Sequence, residues 1–228
     1  MNVADLQTSQ DINYSDEAIH WMNKRNVSQE NRTLFLEVLQ KTTGLTPQNA
    51  HEELSSLTED EKEAVRVVHG LADSFYINGL SEEGAYNLLC QPGSEKDLDN
   101  NGFLSIGAGL CFSFPPPNAP DSVKKAWDET MQGKSDGEKL MMMAVFLPLE
   151  LQANLKYDSN HQVVGFYEPT EPGYTNIYAQ PGFSYQGLVK KYLQYLENIR
   201  YSLSVEDYSS KKNIMNDFLQ NLVKNDAD

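Results

Sequence analysis

Apolar residues recur at spacings of three and four along most of the first ninety positions, a pattern that predicts amphipathic helices. Ser15 reads as the cap of a short helix carrying Ile19, Trp21 and Met22. Ser28 caps the next, in which Leu34, Phe35, Val38 and Leu39 share a face and Gly44 supplies a stop. Thr46 followed by Pro47 has the form of an N-cap with proline at the first helical position. Thr58 to Glu61 reads as a capping box opening a helix through Val65, Val68, Ala72, Phe75 and Tyr76, with Asn78-Gly79 as its end. Ser81 starts another short helix, which stops before Pro92-Gly93.

The period changes at residue 103. Leu104, Ile106, Ala108, Leu110, Phe112 and Phe114 alternate with Phe103, Ser105, Gly107, Gly109, Cys111 and Ser113, which predicts a strand over 103–114. The second of these faces is nearly all small, so another backbone or a ligand can approach it closely, in the plainest case a packed helix. Pro115-Pro116-Pro117 breaks the strand. Helical spacing returns after Pro120, with Val123, Ala126, Trp127, Thr130 and Met131 on one side. A second capping box at Ser135–Glu138 precedes Leu140 and three methionines, and Pro148 should end or kink that helix. Residues 153–167 predict a hairpin turning at Asp158–His161. A loop rich in Pro, Gly and Tyr follows, and two helices close the chain, one through Val189, Leu193 and Leu196, the other through Ile214, Phe218 and Leu222.

The expected fold is therefore mainly α (α+β): a helical bundle with one small antiparallel sheet in the second half, built from the hairpin and strand 103–114. Residues 1–14 are polar and aperiodic and read as a disordered N-terminal segment. Residues 15–92 form a helical part and 93–228 an α+β part, and the short link at 91–102 favours one shared core.

Charge narrows the function classes. Acids outnumber Lys and Arg by 33 to 18, a net charge of −15. Such a field repels nucleic acid and anionic membranes, and leaves cations and basic proteins as compatible partners. No stretch has the roughly 20 apolar residues that span a bilayer. The start lacks a basic region followed by an apolar one, so a cytoplasmic location is expected. Cys90 and Cys111 are the only cysteines, too few for a disulfide scaffold; two reduced thiols or a single bridge are both compatible.

The sharpest local pattern is Asp97-Leu98-Asp99-Asn100-Asn101-Gly102-Phe103-Leu104-Ser105. Asp97, Asp99, Asn101 and Ser105 place side-chain oxygens at relative positions 1, 3, 5 and 9. Phe103 would offer its carbonyl at position 7, and Gly102 stands at position 6. This resembles the first part of an EF-hand calcium loop, in which alternate residues turn oxygens toward a hard cation. The departure is at position 12, where Ala108 replaces the bidentate Glu, and neither flank reads as the helix such a loop requires. The alternative is an Asx-rich turn leading into a strand.

Catalytic patterns are thinner. His20, His51, His69 and His161 form no zinc spacing. His69 and Asp73 stand four apart on the expected fourth helix with Cys90 further along, which would allow a Cys-His-Asp hydrolase. Gly107-Ala108-Gly109 lacks the remainder of a dinucleotide or P-loop motif. The methionines at 141–143 face different ways on a helix, so only some can share a patch or a core. Tyr167, Tyr174, Tyr178, Phe183 and Tyr185 punctuate the proline-rich loop, which either binds a protein or peptide through its rings or is pinned to the body by them. The reading is a non-catalytic interaction or accessory protein with a candidate structural calcium at 97–105. An enzyme of undetected type (Cys/His or carboxylate hydrolase) and a structural subunit of a larger assembly are the alternatives.

Overall fold

The computed structural model describes residues 13–228. The chain divides into two units, Met1–Lys96 with Leu104–Cys111, and Asp97–Phe103 with Phe112–Asp228. The fold is mainly α with a little β, as the periodicity predicts. No helix among the described residues is long and apolar enough to cross a membrane. The disorder expected of residues 1–14 lies outside the described residues except for Asn13 and Tyr14; the Tyr14 ring stacks on Phe35 with centroids 6.3 Å apart.

The first unit is built on α1 (Asp16–Lys24), α2 (Gln29–Lys41), α3 (Ala50–Ser56), α4 (Glu59–His69) and α5 (Glu82–Leu88). The hydroxyls of Ser15, Ser28, Thr58 and Ser81 each accept a backbone N–H three residues on, which satisfies otherwise orphaned donors of the first turn. At Thr58 the Glu61 carboxylate reaches back to the cap N–H, completing the capping box, and Lys41 pairs with the same carboxylate. The apolar faces of α2 and α4 pack together, and the core gathers Met22, Phe35, Val38, Leu54, Val65, Val68 and Leu88.

Two boundaries differ from the pattern. Helix α3 begins at Ala50 rather than just after Thr46, because the Asn49 side chain accepts from the Thr46 N–H at 2.7 Å and holds the intervening residues in turns. Helix α4 stops at His69, well short of Asn78-Gly79. Gly70 takes the left-handed conformation at φ 70°. Its N–H bonds to the Val67 carbonyl at 3.1 Å, and the Leu71 N–H bonds to the Arg66 carbonyl at 3.0 Å, the paired closure of a Schellman motif.

The alternating segment is a hairpin, not one strand: β1 (Phe103–Ile106) pairs with β2 (Gly109–Phe112). Gly107 turns the chain at φ 60°, and its N–H bonds to the Gly84 carbonyl at 3.0 Å. A Cβ on Gly84 would stand 2.2 Å from the Gly107 carbonyl oxygen, so the small residues admit the backbone of α5.

The second unit holds α6 (Asp121–Met131), α7 (Asp136–Met143), α8 (Leu147–Ala153), β3 (Leu155–Tyr157), β4 (Val163–Phe166), α9 (Tyr185–Ile199) and α10 (Val205–Lys224). Pro148 sits in the first turn of α8, where its missing N–H costs nothing, and α7 has already ended at Met143. Of the three methionines Met142 is buried and Met141 exposed. The β3–β4 pair is antiparallel with Leu155 opposite Phe166, and the Asp158 carboxylate closes the turn by accepting from the N–H groups of Asn160 and Gln162, each at 2.8 Å. This pair is a two-stranded sheet of its own, which the 103–112 segment does not join. The core is aromatic: Phe114 stacks on Phe146 at 3.6 Å, and Trp127 meets Phe218 edge-on at 5.1 Å. Helix α10 packs on both α6 and α9.

Candidate functional site

The candidate calcium loop folds as a nest of Asx turns. One carboxylate oxygen of buried Asp97 accepts from the Asn101 N–H at 3.0 Å and the other from the Gly102 N–H at 2.9 Å. Asp99 Oδ1 also accepts from the Asn101 N–H at 3.0 Å, while the Asn101 side chain donates to Asp99 Oδ2 at 3.0 Å and accepts from the Phe103 N–H at 2.8 Å. Left-handed φ values at Asn100 (57°) and Gly102 (91°) curl the backbone so that its N–H groups converge on the carboxylates. Four of the five expected donor residues, Asp97, Asp99, Asn101 and Phe103, thus stand together in the second unit. Ser105 falls in the first unit, where its N–H donates to Glu83 Oε1 at 2.6 Å and its carbonyl accepts from Asn87.

Beside this loop, within the second unit, lies a cleft of about 310 Å³ lined by Asp97, Asn100, Asn118, Asn176, Tyr178 and Tyr185, with Pro116, Ala119, Pro120 and Ala179. Amides frame it. The Asn118 side chain donates to the Asp97 carbonyl at 3.0 Å and to Asn100 Oδ1 at 3.1 Å. Asn176 donates to the Asn100 carbonyl at 2.8 Å, and its own Oδ1 accepts from the Tyr178 N–H at 3.0 Å.

The aromatic loop that supplies Asn176 and Tyr178 is fastened at several points. Asn154 donates to the Glu150 carbonyl and to the Thr175 carbonyl, and accepts from the Thr175 N–H at 2.7 Å. Lys156 pairs with Glu171 at 2.7 Å and lies over the Tyr167 ring. Phe183 meets Tyr178 and Tyr185 edge-on at 5.2 and 4.9 Å. Rings and amides pin the loop, and the same pinning holds one wall of the cleft.

Glu150 on α8 is 3% exposed. Its Oε2 accepts from the Tyr174 hydroxyl at 3.2 Å, its Oε1 has no hydrogen-bond partner, and the buried Tyr178 hydroxyl also has none. Burial pushes the Glu150 carboxyl up to about 7, against a smaller opposing effect of the Tyr174 hydrogen bond. Tyr174 and Tyr178 are raised as well, first by burial and then by the negative field of Glu150; Asp97 and Asp99 add to that field at Tyr174.

The helical pairing expected of His69 and Asp73 does not form. With α4 ended at His69, Asp73 lies beyond the helix and is exposed, so the expected i, i+4 pair is lost. His69 is buried edge-on against Phe35 with Nδ1 3.6 Å from Glu95 Oε1, beyond hydrogen-bond reach. The Cys90 thiol donates to the Tyr86 carbonyl at 3.4 Å, and burial pushes it up to about 11, away from the thiolate a nucleophile needs. Both cysteines are free, Cys90 buried and Cys111 exposed.

Sequence reasoning missed Glu95, Glu150 and the three cleft asparagines. Only a lone acid within an apolar helical stretch, Glu150 among Leu147, Leu149 and Leu151, left any signal. No family model, curated protein or solved structure matches the chain.

Proposed function

We propose that this chain is a non-catalytic interaction or accessory protein that engages a protein or peptide segment through the aromatic loop Tyr167–Tyr185. The observation that carries the reading is the cleft of the second unit, whose wall that loop supplies through Asn176, Tyr178 and Tyr185. Ligand sites are concave with polar groups fixed in place, and this cleft sets Asp97 and three asparagines among two tyrosines, two prolines and two alanines. Burial pushes the Cys90 thiol up to about 11, which disfavours the thiolate that a cysteine hydrolase needs.

A structural calcium at the adjoining loop belongs to the same proposal. Asp97, Asp99, Asn101 and the Phe103 carbonyl are hard oxygen donors, the chemistry a calcium ion prefers. Ala108 supplies nothing at position 12, so water would complete the shell and affinity would be weak, with a dissociation constant on the order of 10⁻⁴–10⁻³ M. Calorimetric titration of EDTA-treated protein with calcium should show saturable binding that disappears in an Asp97→Ala/Asp99→Ala variant. Absence of heat at several millimolar calcium would reduce the loop to a turn.

One observation favours a second reading, a carboxylate hydrolase. Glu150, raised to about 7 by burial, has the protonation behaviour of a general acid. A general acid must also reach its substrate, and Glu150 is 3% exposed. Turnover of a glycoside or ester panel that is abolished by Glu150→Gln would replace the binding reading with this one.

A further inference from the structure

The donors and acceptors lining the cleft are unequally spent. An asparagine side chain carries two N–H donors and one carbonyl oxygen. Asn118 uses both donors on the protein, toward the Asp97 carbonyl and Asn100 Oδ1, and its Oδ1 accepts no hydrogen bond among the described residues. Asn176 likewise turns its amide toward the Asn100 carbonyl. Neither Lys, Arg nor His lines the cleft, whereas Asp97 does. The walls therefore offer the Asn118 oxygen and the negative charge of Asp97, whose carboxylate is already held by the Asn101 and Gly102 N–H groups, beside Tyr178 stacked parallel to Tyr185 at 6.2 Å.

Resting on the binding reading above, we infer that this cleft receives the cationic end of a lysine or arginine side chain presented by the partner peptide. An ammonium or guanidinium group brings only donors, which matches the unspent Asn118 Oδ1. Its charge is favoured by Asp97 and by the Tyr178 ring that lines the cleft. A phosphate or carboxylate would find no cation and few free donors. The volume, about 310 Å³, stands at the lower end of small-molecule sites and suits a side chain rather than a larger body. The net charge of −15 would draw such a peptide from a distance.

The test is heteronuclear NMR of the full chain, free of added calcium. The side-chain amides of Asn100, Asn118 and Asn176 are followed while a Gly-Gly-Lys-Gly-Gly peptide, its arginine analogue and its Nε-acetyl-lysine analogue are titrated. Saturable shifts at these amides are expected with the lysine or arginine peptide, at least about tenfold tighter than with the acetylated one. Asn118→Ala should weaken binding about fivefold or more. Unchanged spectra elsewhere certify the fold of that variant. Equal affinity for the acetylated peptide overturns the inference. So do shifts spread over the acidic surface without saturation at Asn118. Selection from displayed random peptides separates the two levels of argument. Enriched peptides without Lys or Arg would leave the binding reading standing and remove the cationic one; no enrichment at all would remove both.

Discussion

Glu150 shows how one buried group can carry a pH dependence. Its carboxyl is raised from 4.5 to about 7 because burial disfavours the charged form, and no basic side chain is among the groups that act on it. The sign follows from proton counting. Between these values the folded chain holds a proton that the unfolded chain has lost, so stability falls as pH rises from about 4.5 to about 7 and then levels. The full shift corresponds to about 3 kcal/mol at most. Glu150→Gln keeps an acceptor for the Tyr174 hydroxyl and removes the charge, so urea unfolding of the variant should lose this component of the pH slope and gain stability at pH 8. A variant as pH-sensitive as the parent would show that Glu150 is not the group responsible. Single residues of this kind were poorly legible: Glu150 stands in the chain as one acid among leucines, and only packing reveals that it is enclosed. The Asp97–Ser105 pattern was legible as an oxygen-rich turn, because Asx turns form from contacts within a few residues.

Helices and the second hairpin were read largely correctly because caps and periodicity are local. Ser15, Ser28, Thr58, Ser81 and Ser135 all cap the helices they were expected to start. Endings were harder. Gly70 stops α4 through a left-handed closure, while the apolar residues beyond it continue the helical spacing. The alternation over 103–114 likewise concealed a turn, since Gly107 and Gly109 obey period two whether the strand runs on or folds back. Two glycines separate backbone preference from crowding. At Gly70 (φ 70°) a Cβ would meet Arg25 Nε at 3.1 Å, whereas at Gly133 (φ 77°) nothing lies within 4 Å. Both alanine variants pay the left-handed penalty of about 1–2 kcal/mol. Gly70→Ala adds displacement of the Arg25 side chain, whose Nη1 donates to the Val68 carbonyl at 2.6 Å. Chemical unfolding should therefore find Gly70→Ala the more destabilised of the two; equal losses would mean that Arg25 yields freely.

At the scale of the whole molecule, composition spoke clearly about charge but not about the site, whose asparagines are far apart in sequence and gain meaning only when Asn118 and Asn176 meet Asn100. The charge itself makes two linked predictions of opposite sign. Several of the few basic side chains, among them Lys62, Arg66, Lys156, Lys212 and Lys224, are already in ion pairs with acids. With 33 acids against 18 bases, an excess of 15 negative charges is left to repel at longer range. Salt at 0.1 M screens beyond roughly 10 Å, and so weakens that repulsion more than it weakens pairs in contact. The melting temperature should rise between 10 and 300 mM NaCl, by about 2–4 °C for each kcal/mol of repulsion relieved. The same screening should slow association with a lysine peptide, because the acidic field that strains the fold is also the field that steers the ligand. A fall in melting temperature with salt would mean that the surface pairs outweigh the excess. Association indifferent to salt would mean that the peptide is held by the walls of the cleft alone.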